Sequence, residues 1–142
     1  DLNVPAGSYQ GGDGAWLSIA MVREEEYRAF AAEIGLPDDP RFATFPDRAA
    51  NKDALLALIR ARIAERPAAE WIARFQSRRL LAERVNSPLD WLADAHVRAV
   101  AAAPAAGHPG LGAVPFPALP GIGAWTAPAP ALGEHDAEIL GR

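Results

Sequence analysis

Hydrophobic and polar positions along the chain change from one short strand pattern to a series of helix patterns. Residues 15–22, AWLSIAMV, are apolar almost throughout and follow the turn residues GGDG at 11–14. Glycine and aspartate tolerate the positive φ values of a tight turn, so we expect a hairpin with GSYQ as its first strand. Alternate side chains would lie on two faces, Leu17, Ile19 and Met21 on one and Trp16, Ala20 and Val22 on the other. Since both faces are apolar, we expect both to be covered.

The segment REEEYRAFAAEIG predicts the first helix. Tyr27, Phe30 and Ile34 recur at helical spacing, and glutamates occupy the first turn, where the helix dipole favours negative charge. Gly35 follows the last apolar position and is placed to end the helix.

Three further helices are predicted. The second, with Asp47 or Asn51 as its cap, is expected to run to about Glu65. The third follows a proline that suits a first helical turn, and spans about 68–78. Residues 87–90, SPLD, combine a hydroxyl cap, a proline and an acid three residues after the cap, which predicts the start of a fourth helix.

Proline and glycine become dense after about residue 103. They exclude regular helix there and permit only short extended pieces, so we interpret 104–142 as an arm lying on another surface, with a first helical turn in the closing EHDAEILGR. The predicted fold class is α+β. A small domain at 1–103, with a few short strands and about four helices, precedes the Pro/Gly-rich arm at 104–142.

Charge and composition argue against several classes of function. The net charge of −4, with 14 basic and 18 acidic residues interleaved, argues against nucleic-acid binding. The chain has no cysteine, which excludes disulfides and thiolate chemistry, and it has no apolar run long enough to cross a membrane. We expect a cytoplasmic protein that binds neither nucleic acid nor membrane. Because the chain begins at Asp1 rather than at a methionine, we also expect a piece of something longer.

Candidate catalytic residues are few. His96, His108 and His135 are not spaced as metal ligands, so no metal site is predicted; His108 fits a turn and His135 a helix start. The GGDG loop could cradle a phosphate, but its glycines lead into a strand rather than into a helix, which favours a hairpin turn. No serine lies in a nucleophile elbow, and the acids of 24–26 and 38–39 fit a solvated surface. The residues alone therefore predict no catalytic group within the chain.

The order of short motifs adds a resemblance. The chain resembles the C-terminal portion of family III CoA-transferases, the CaiB/BaiF type, over nearly its whole length. The matching motifs are, in order, a tyrosine followed by DGAWLSIA, then EEEYRAFAAEIGL, DPRFAT, the isolated Arg48, the pair Glu70-Trp71, VNS, HPGLG and APALGEH.

The resemblance implies a large Rossmann-like domain outside this chain, with residues 1 to about 100 as the small domain and the arm as the return path. It implies an interlocked homodimer, acyl-CoA and carboxylic acid substrates, and no cofactor apart from coenzyme A thioesters as substrates. In the family an aspartate attacks the thioester, giving an anhydride and then an aspartate-borne CoA thioester. No residue here matches that aspartate, so the resemblance implies a chain that is inactive alone.

The same superfamily includes α-methylacyl-CoA racemases, whose small domain lends a tyrosine and a glutamate to the partner's site. The matching positions here are Ala6 and Arg23, which disfavours racemase chemistry; Ala6, Val22 and Arg23 remain the predicted substrate-facing residues. A second departure is RRLLAERVNS, which lacks the family's Gly-x-Pro pattern. A non-catalytic interaction module that uses the arm to bind a partner stays as the alternative, although it would leave Phe116, Ile122 and Trp125 exposed.

Overall fold

Three strands and four helices form the first of two compact units into which the chain divides, residues 1–86 and 87–142. The computed structural model describes residues 4–118, 121 and 130–141. The first unit contains, in order, β1 (Gly7–Gln10), β2 (Trp16–Ala20), α1 (Glu24–Glu33), a 3-10 turn (Pro40–Phe42), α2 (Phe45–Ala50), α3 (Lys52–Ile63), α4 (Ala68–Ser77) and β3 (Leu81–Arg84). The second contains α5 (Pro88–Ala93), α6 (Ala95–Ala99), β4 (Ala105–His108), β5 (Gly112–Pro115) and α7 (Asp136–Leu140). The predicted α+β class is confirmed.

The sheet of the first unit has the order β1-β2-β3, with both pairs antiparallel. Tyr9 lies opposite Leu17, and Ile19 lies opposite Ala82, so these side chains share one face of the sheet. That face is buried against the helices. The expected hairpin between 7–10 and 16–20 is therefore confirmed, with its register set by apolar residues on the inner face.

The expectation that both faces are covered is wrong for the described residues. Trp16 is 47% exposed and Leu81 is 66% exposed, and both lie on the outer face together with Ala20. The alternating burial of β2 shows that the helices of this unit pack on one side only. An apolar sequence pattern indicates that a strand face favours burial, but it does not show whether the element that covers the face belongs to the same unit.

Aromatic and aliphatic side chains from the helices fill the space under the sheet. Phe30 of α1 and Phe75 of α4 are fully buried, with ring centroids 5.4 Å apart, and Trp71 stacks on Phe75 at 5.6 Å. The indole Nε1 of Trp71 donates a hydrogen bond to the carbonyl of Ile63 at 2.8 Å, so its polar atom is satisfied inside the core. This core joins all the long helices to one sheet face.

The predicted second helix is interrupted. Residues 45–50 and 52–63 form two helices that meet at Asn51, whose φ of −111° and ψ of 28° are not helical. The cap of the first is Thr44, which forms a reciprocal capping box with Asp47, rather than Asp47 itself. The Asn51 amide donates to the carbonyl of Asp47 at 2.9 Å instead of capping the helix that follows.

A partly buried ion cluster fastens the C-terminal end of α1 to α4. Arg74 donates to Glu33 at 2.6 Å, and Arg78 donates to the other oxygen of the same carboxylate. Only 7% of the Glu33 side chain is exposed; burial opposes ionisation, but the two guanidinium groups hold the pKa of this carboxyl below its usual value. Residues 41 positions apart in sequence are thereby joined.

Short elements make up the second unit. Ser87 caps α5 through a reciprocal box with Asp90, as predicted, and Asp94 caps α6 by accepting from two backbone N–H groups. Within the predicted arm, 105–108 and 112–115 pair as an antiparallel hairpin, so this part has regular structure. A short helix at 136–140 matches the predicted first turn, whereas Ile122 and Trp125 lie outside the described residues. In the described part of the chain no helix is both long and apolar enough to cross a membrane.

Arg79 provides a test of local backbone strain. It follows the C-cap of α4 with a φ of 59°, in the left-handed region where glycine is the usual residue. We expect Arg79→Gly to raise the free energy of unfolding by about 0.5–1 kcal/mol, measured by urea denaturation. Ala73→Gly, at an exposed position in the interior of the same helix, should lower it by about the same amount. A lower stability for Arg79→Gly would show that its side chain contributes more than its backbone costs.

Candidate functional site

Two short segments border one small cavity in the first unit. Val4 and Pro5 come just before β1, and Val22 and Arg23 connect β2 to α1; all four line a cavity of about 20 Å³. Ala6 follows Pro5 directly and is half-buried, although it does not line the cavity. The structure therefore brings the neighbourhoods of the three predicted substrate-facing residues to one corner of the unit. Met21, Glu24, Tyr27, Phe45 and Arg48 complete the lining.

Glu26 fixes the turn between β2 and α1. One of its oxygens accepts hydrogen bonds from the backbone N–H groups of Val22 at 2.9 Å and Arg23 at 3.1 Å. The other accepts from Nε and Nη2 of Arg23 at 3.0 and 2.8 Å. These backbone and guanidinium donors lower the pKa of Glu26 to about 2. The turn is therefore held by a carboxylate that stays ionised over the whole physiological range.

Arg23 is not a free cation. Its Nη1 atom lies 3.0 Å from a carboxylate oxygen of Glu25, and the other side of the guanidinium is bound to Glu26. Val22, beside it, is 84% exposed. This corner therefore presents an isopropyl group and a neutralised guanidinium to whatever approaches it.

Tyr9 holds the other segment. Its hydroxyl donates to the carbonyl of Pro5 at 2.6 Å, which places Ala6 between a buried hydrogen bond and the start of β1. Burial raises the pKa of Tyr9 to about 12, because the ionised form would lose solvation inside the core.

Arg48 lies beneath both segments and was not recognised as a site residue in the sequence. Its Nη2 donates to Glu24 at 2.6 Å, its Nη1 donates to the carbonyl of Phe42 at 3.3 Å, and its guanidinium lies over the ring of Tyr27 at 4.0 Å. Like Glu33, it is a charged residue whose side chain is almost completely buried, with 4% exposed. The available signal was an isolated arginine between apolar positions at a helix start, which indicated a family motif but no partner.

The GGDG loop does not offer a phosphate site. The N–H of Gly11 donates to Ala15, that of Gly12 to Arg66, and that of Gly14 back to Gly11, so these donors are used within the protein. Asp13 accepts from the backbone N–H of Ala68 at 3.1 Å, which caps the start of α4. The hairpin interpretation is confirmed. The loop also joins the sheet to the junction of α3 with α4 through hydrogen bonds to Arg66 and Ala68.

His108 and His135 lie where the sequence placed them. His108 ends β4 and its Nδ1 accepts from the N–H of Gly110 at 3.1 Å, which is a turn role, and His135 precedes the first residue of α7. Within the described ranges, no three His, Asp or Glu side chains gather as metal ligands do.

Comparison with known proteins identifies the class. The fold is similar to that of the Mycobacterium tuberculosis protein Rv3272, with 22% identity and a TM-score of 0.73, over 95% of this chain and 40% of that chain. It is also similar to a CAIB/BAIF family protein from Brucella suis, with 26% identity and a TM-score of 0.69, over 97% of this chain and 37% of that one. A comparison with curated proteins gives no match. The chain thus has the fold of one part of these proteins and spans about 40% of the length of Rv3272.

The sequence profile described as CoA-transferase family III matches residues 2–136. Since the match covers nearly all 142 residues, the chain belongs to this family, which confirms the resemblance found in its motifs.

Acid titration tests the role of Glu26. Its folded-state pKa of about 2 lies below the ordinary glutamate value of 4.5, so its stabilisation is present above pH 4.5 and is lost as the pH falls toward 2. We expect Glu26→Gln to lower the free energy of unfolding at pH 7, and the difference from the unmodified chain to shrink between pH 4.5 and 2. Urea denaturation across that range measures both curves. Glu25→Gln, which removes one exposed ion pair, is the control; a Glu26 difference that stays constant with pH would contradict the assignment.

Substitution of Gly12 tests the packing of the GGDG loop against the C-terminal end of α3. A Cβ atom there would lie 2.5 Å from the backbone carbonyl oxygen of Ala64, whereas one at Gly107 would meet nothing within 4 Å. We expect Gly12→Ala to lower the free energy of unfolding by about 1–3 kcal/mol and Gly107→Ala to change it much less. Thermal and urea unfolding report both. Equal effects at the two positions would show that the loop does not pack as described.

Proposed function

We propose that this chain is the small-domain part of an acyl-CoA:carboxylate CoA-transferase, with residues 1–103 as that domain and 104–142 as the return path to the large domain. The observation that carries the proposal is the family match over 2–136. The share of Rv3272 that the chain covers, 40%, supports a role as one portion of a larger catalytic unit.

The proposed chemistry requires a nucleophile from that larger unit. An aspartate oxygen attacks the thioester carbonyl, the C–S bond breaks, and the CoA thiolate leaves behind a mixed anhydride. The thiolate then attacks the aspartyl carbonyl, which releases the donor acid and gives an aspartyl-CoA thioester. The acceptor carboxylate attacks this thioester and releases the CoA thiolate, which leaves a second mixed anhydride. The thiolate then attacks the acceptor carbonyl, which gives the product thioester and frees the aspartate. The covalent intermediates divide one difficult exchange into several easier steps, and no cofactor is required.

In this proposal the chain supplies one wall of the site. Ala6, Val22 and Arg23 face the acyl portion of the substrate, and the exposed outer face of the sheet receives protein from an interlocked homodimer. Support comes from Trp16 and Leu81, two exposed apolar residues on the neighbouring strands β2 and β3. Apolar surface of this kind is stabilised when another protein surface excludes water from it. The solution compartment proposed for the enzyme is the cytoplasm.

Racemase chemistry in the same superfamily is disfavoured at Arg23. A racemase needs a group that accepts and returns a proton, and a guanidinium does not lose its proton in proteins. The hydrogen bonds to Glu26, together with the negative charges of Glu26 and Glu25, stabilise the charged form further and raise the pKa of the guanidinium.

Activity measurements on two proteins test the proposal. The complete gene product that contains this chain should move CoA from an acyl-CoA to one of a panel of carboxylic acids, followed by chromatography of the thioesters. The purified 142-residue chain should show no exchange above the uncatalysed rate. Exchange by the short chain would refute the missing nucleophile. A complete gene product that epimerises 2-methylacyl-CoA without transferring CoA, or does neither, would replace the transferase with the racemase or with an interaction module.

A further inference from the structure

We propose that Arg48, acting through Glu24, is a positioning residue that holds the Val22–Arg23 corner in place for the acyl substrate. The inference rests on the proposed function for what the corner contacts. The contacts themselves belong to the described structure.

Arg48 connects its own helix, α2, to two other parts of the first unit, α1 and the turn before α2. It binds Glu24 in the first turn of α1, and its guanidinium lies over the ring of Tyr27 in the same helix. It also donates to the carbonyls of Phe42 and Ala43 in the turn before α2. The Arg48 and Glu24 side chains come from positions 24 residues apart. A single buried group therefore sets the distance between the start of α1 and the 3-10 turn.

This arrangement is a poor way to gain stability. Only 4% of the Arg48 side chain is exposed, while 43% of its partner Glu24 is exposed, so the cation loses its solvation and gains a pair that water still screens. In addition, the Nε atom of Arg48 is buried without a hydrogen-bond partner. An unmade bond of this kind is destabilising, and apolar replacements of buried ion pairs are often neutral or stabilising. Such a cost is typical of a group retained for the geometry it imposes.

The geometry that Arg48 imposes is that of the predicted substrate corner. Glu24 directly follows Arg23 in the chain, and Arg48 lines the same 20 Å³ cavity as Val22 and Arg23. Glu26 fixes the turn from within by binding its two N–H groups. Arg48 fixes Glu24, the residue that follows Arg23, through their ion pair. The corner is thus bordered by two fixed residues, Glu24 and Glu26, and we expect a shift of Arg48 to reach Arg23 through Glu24.

The test uses the complete gene product and compares two ion clusters of the same unit. Arg48→Met removes the guanidinium that binds Glu24, which we call the clamp, and keeps an apolar side chain. Arg48→Lys keeps the positive charge. Glu24→Gln removes the negative charge of the half-exposed partner. Glu33→Gln is the matched control, because it breaks the other long-range ion cluster, at the far end of α1, without contacting the corner. All are assayed at a temperature where denaturation curves show each variant folded.

We expect Arg48→Met to lower kcat by about 10–100-fold, as small displacements of reacting groups do, with the KM for the CoA donor changed less than about threefold. Arg48→Lys should recover part of the loss. If Arg48→Met does not fold, Glu24→Gln takes its place, and we expect it to lower kcat as well, by less than the full loss. Glu33→Gln should keep kcat within about twofold even where its stability falls as far. Equal losses of kcat in the Arg48 and Glu33 variants, or none in either, would overturn the proposal.

Amide hydrogen exchange separates this inference from the proposed function. Arg48→Met should speed exchange at residues 22–26 and leave α4 protected, whereas Glu33→Gln should do the reverse. Unchanged exchange at 22–26 overturns the positioning role whatever the activity. Faster exchange there in a gene product that never transfers CoA would keep the clamp and remove the transferase.

Discussion

Phe75 of α4 meets Phe30 of α1 under the sheet, with ring centroids 5.4 Å apart, and the first unit is organised around that contact. Both rings are fully buried, and Leu17 and Ile19 of the central strand close the space above them. Large aromatic side chains bury the most apolar area, so α1 and α4 are drawn to the same face of the sheet. The other face is then left without a helix in the described part of this unit, which is why Trp16 remains half exposed.

Elements governed by local chemistry were predictable from the sequence. The helix α1 follows from its apolar spacing, acidic first turn and terminal glycine, whose φ of 67° permits the helix to end there. The capping box at Ser87 likewise depends on residues within one turn. The break at Asn51 was missed because alanine-rich sequence on both sides favours helix, while the side chain of Asn51 bonds back to Asp47 and Arg41. Competition between equally local alternatives is decided by packing, which a single sequence does not display.

Arg48 shows why the candidate site was only partly predictable. A charged residue in an amphipathic helix is normally solvated, so sequence alone places it on the surface. Its burial depends on Tyr27 and Glu24, which lie more than twenty positions earlier, and on the turn at Phe42. The GGDG loop was ambiguous for a related reason. Phosphate cradles and tight hairpins use the same residues, and the partners of the loop N–H groups, including Arg66, distinguish them.

The neutralisation of Arg23 limits what the proposed wall can do with a charged substrate. A free guanidinium at this position would attract the carboxylate of an acceptor acid, but here Glu25 and Glu26 occupy its N–H groups at 2.8–3.0 Å. Replacing those carboxylates would cost the bonds that fix the Val22–Arg23 turn, since Glu26 also accepts from both backbone N–H groups. In the proposed transferase the wall therefore selects by the shape of its apolar surface at Val22. Attraction of the anionic group has to come from residues on the other side of the site.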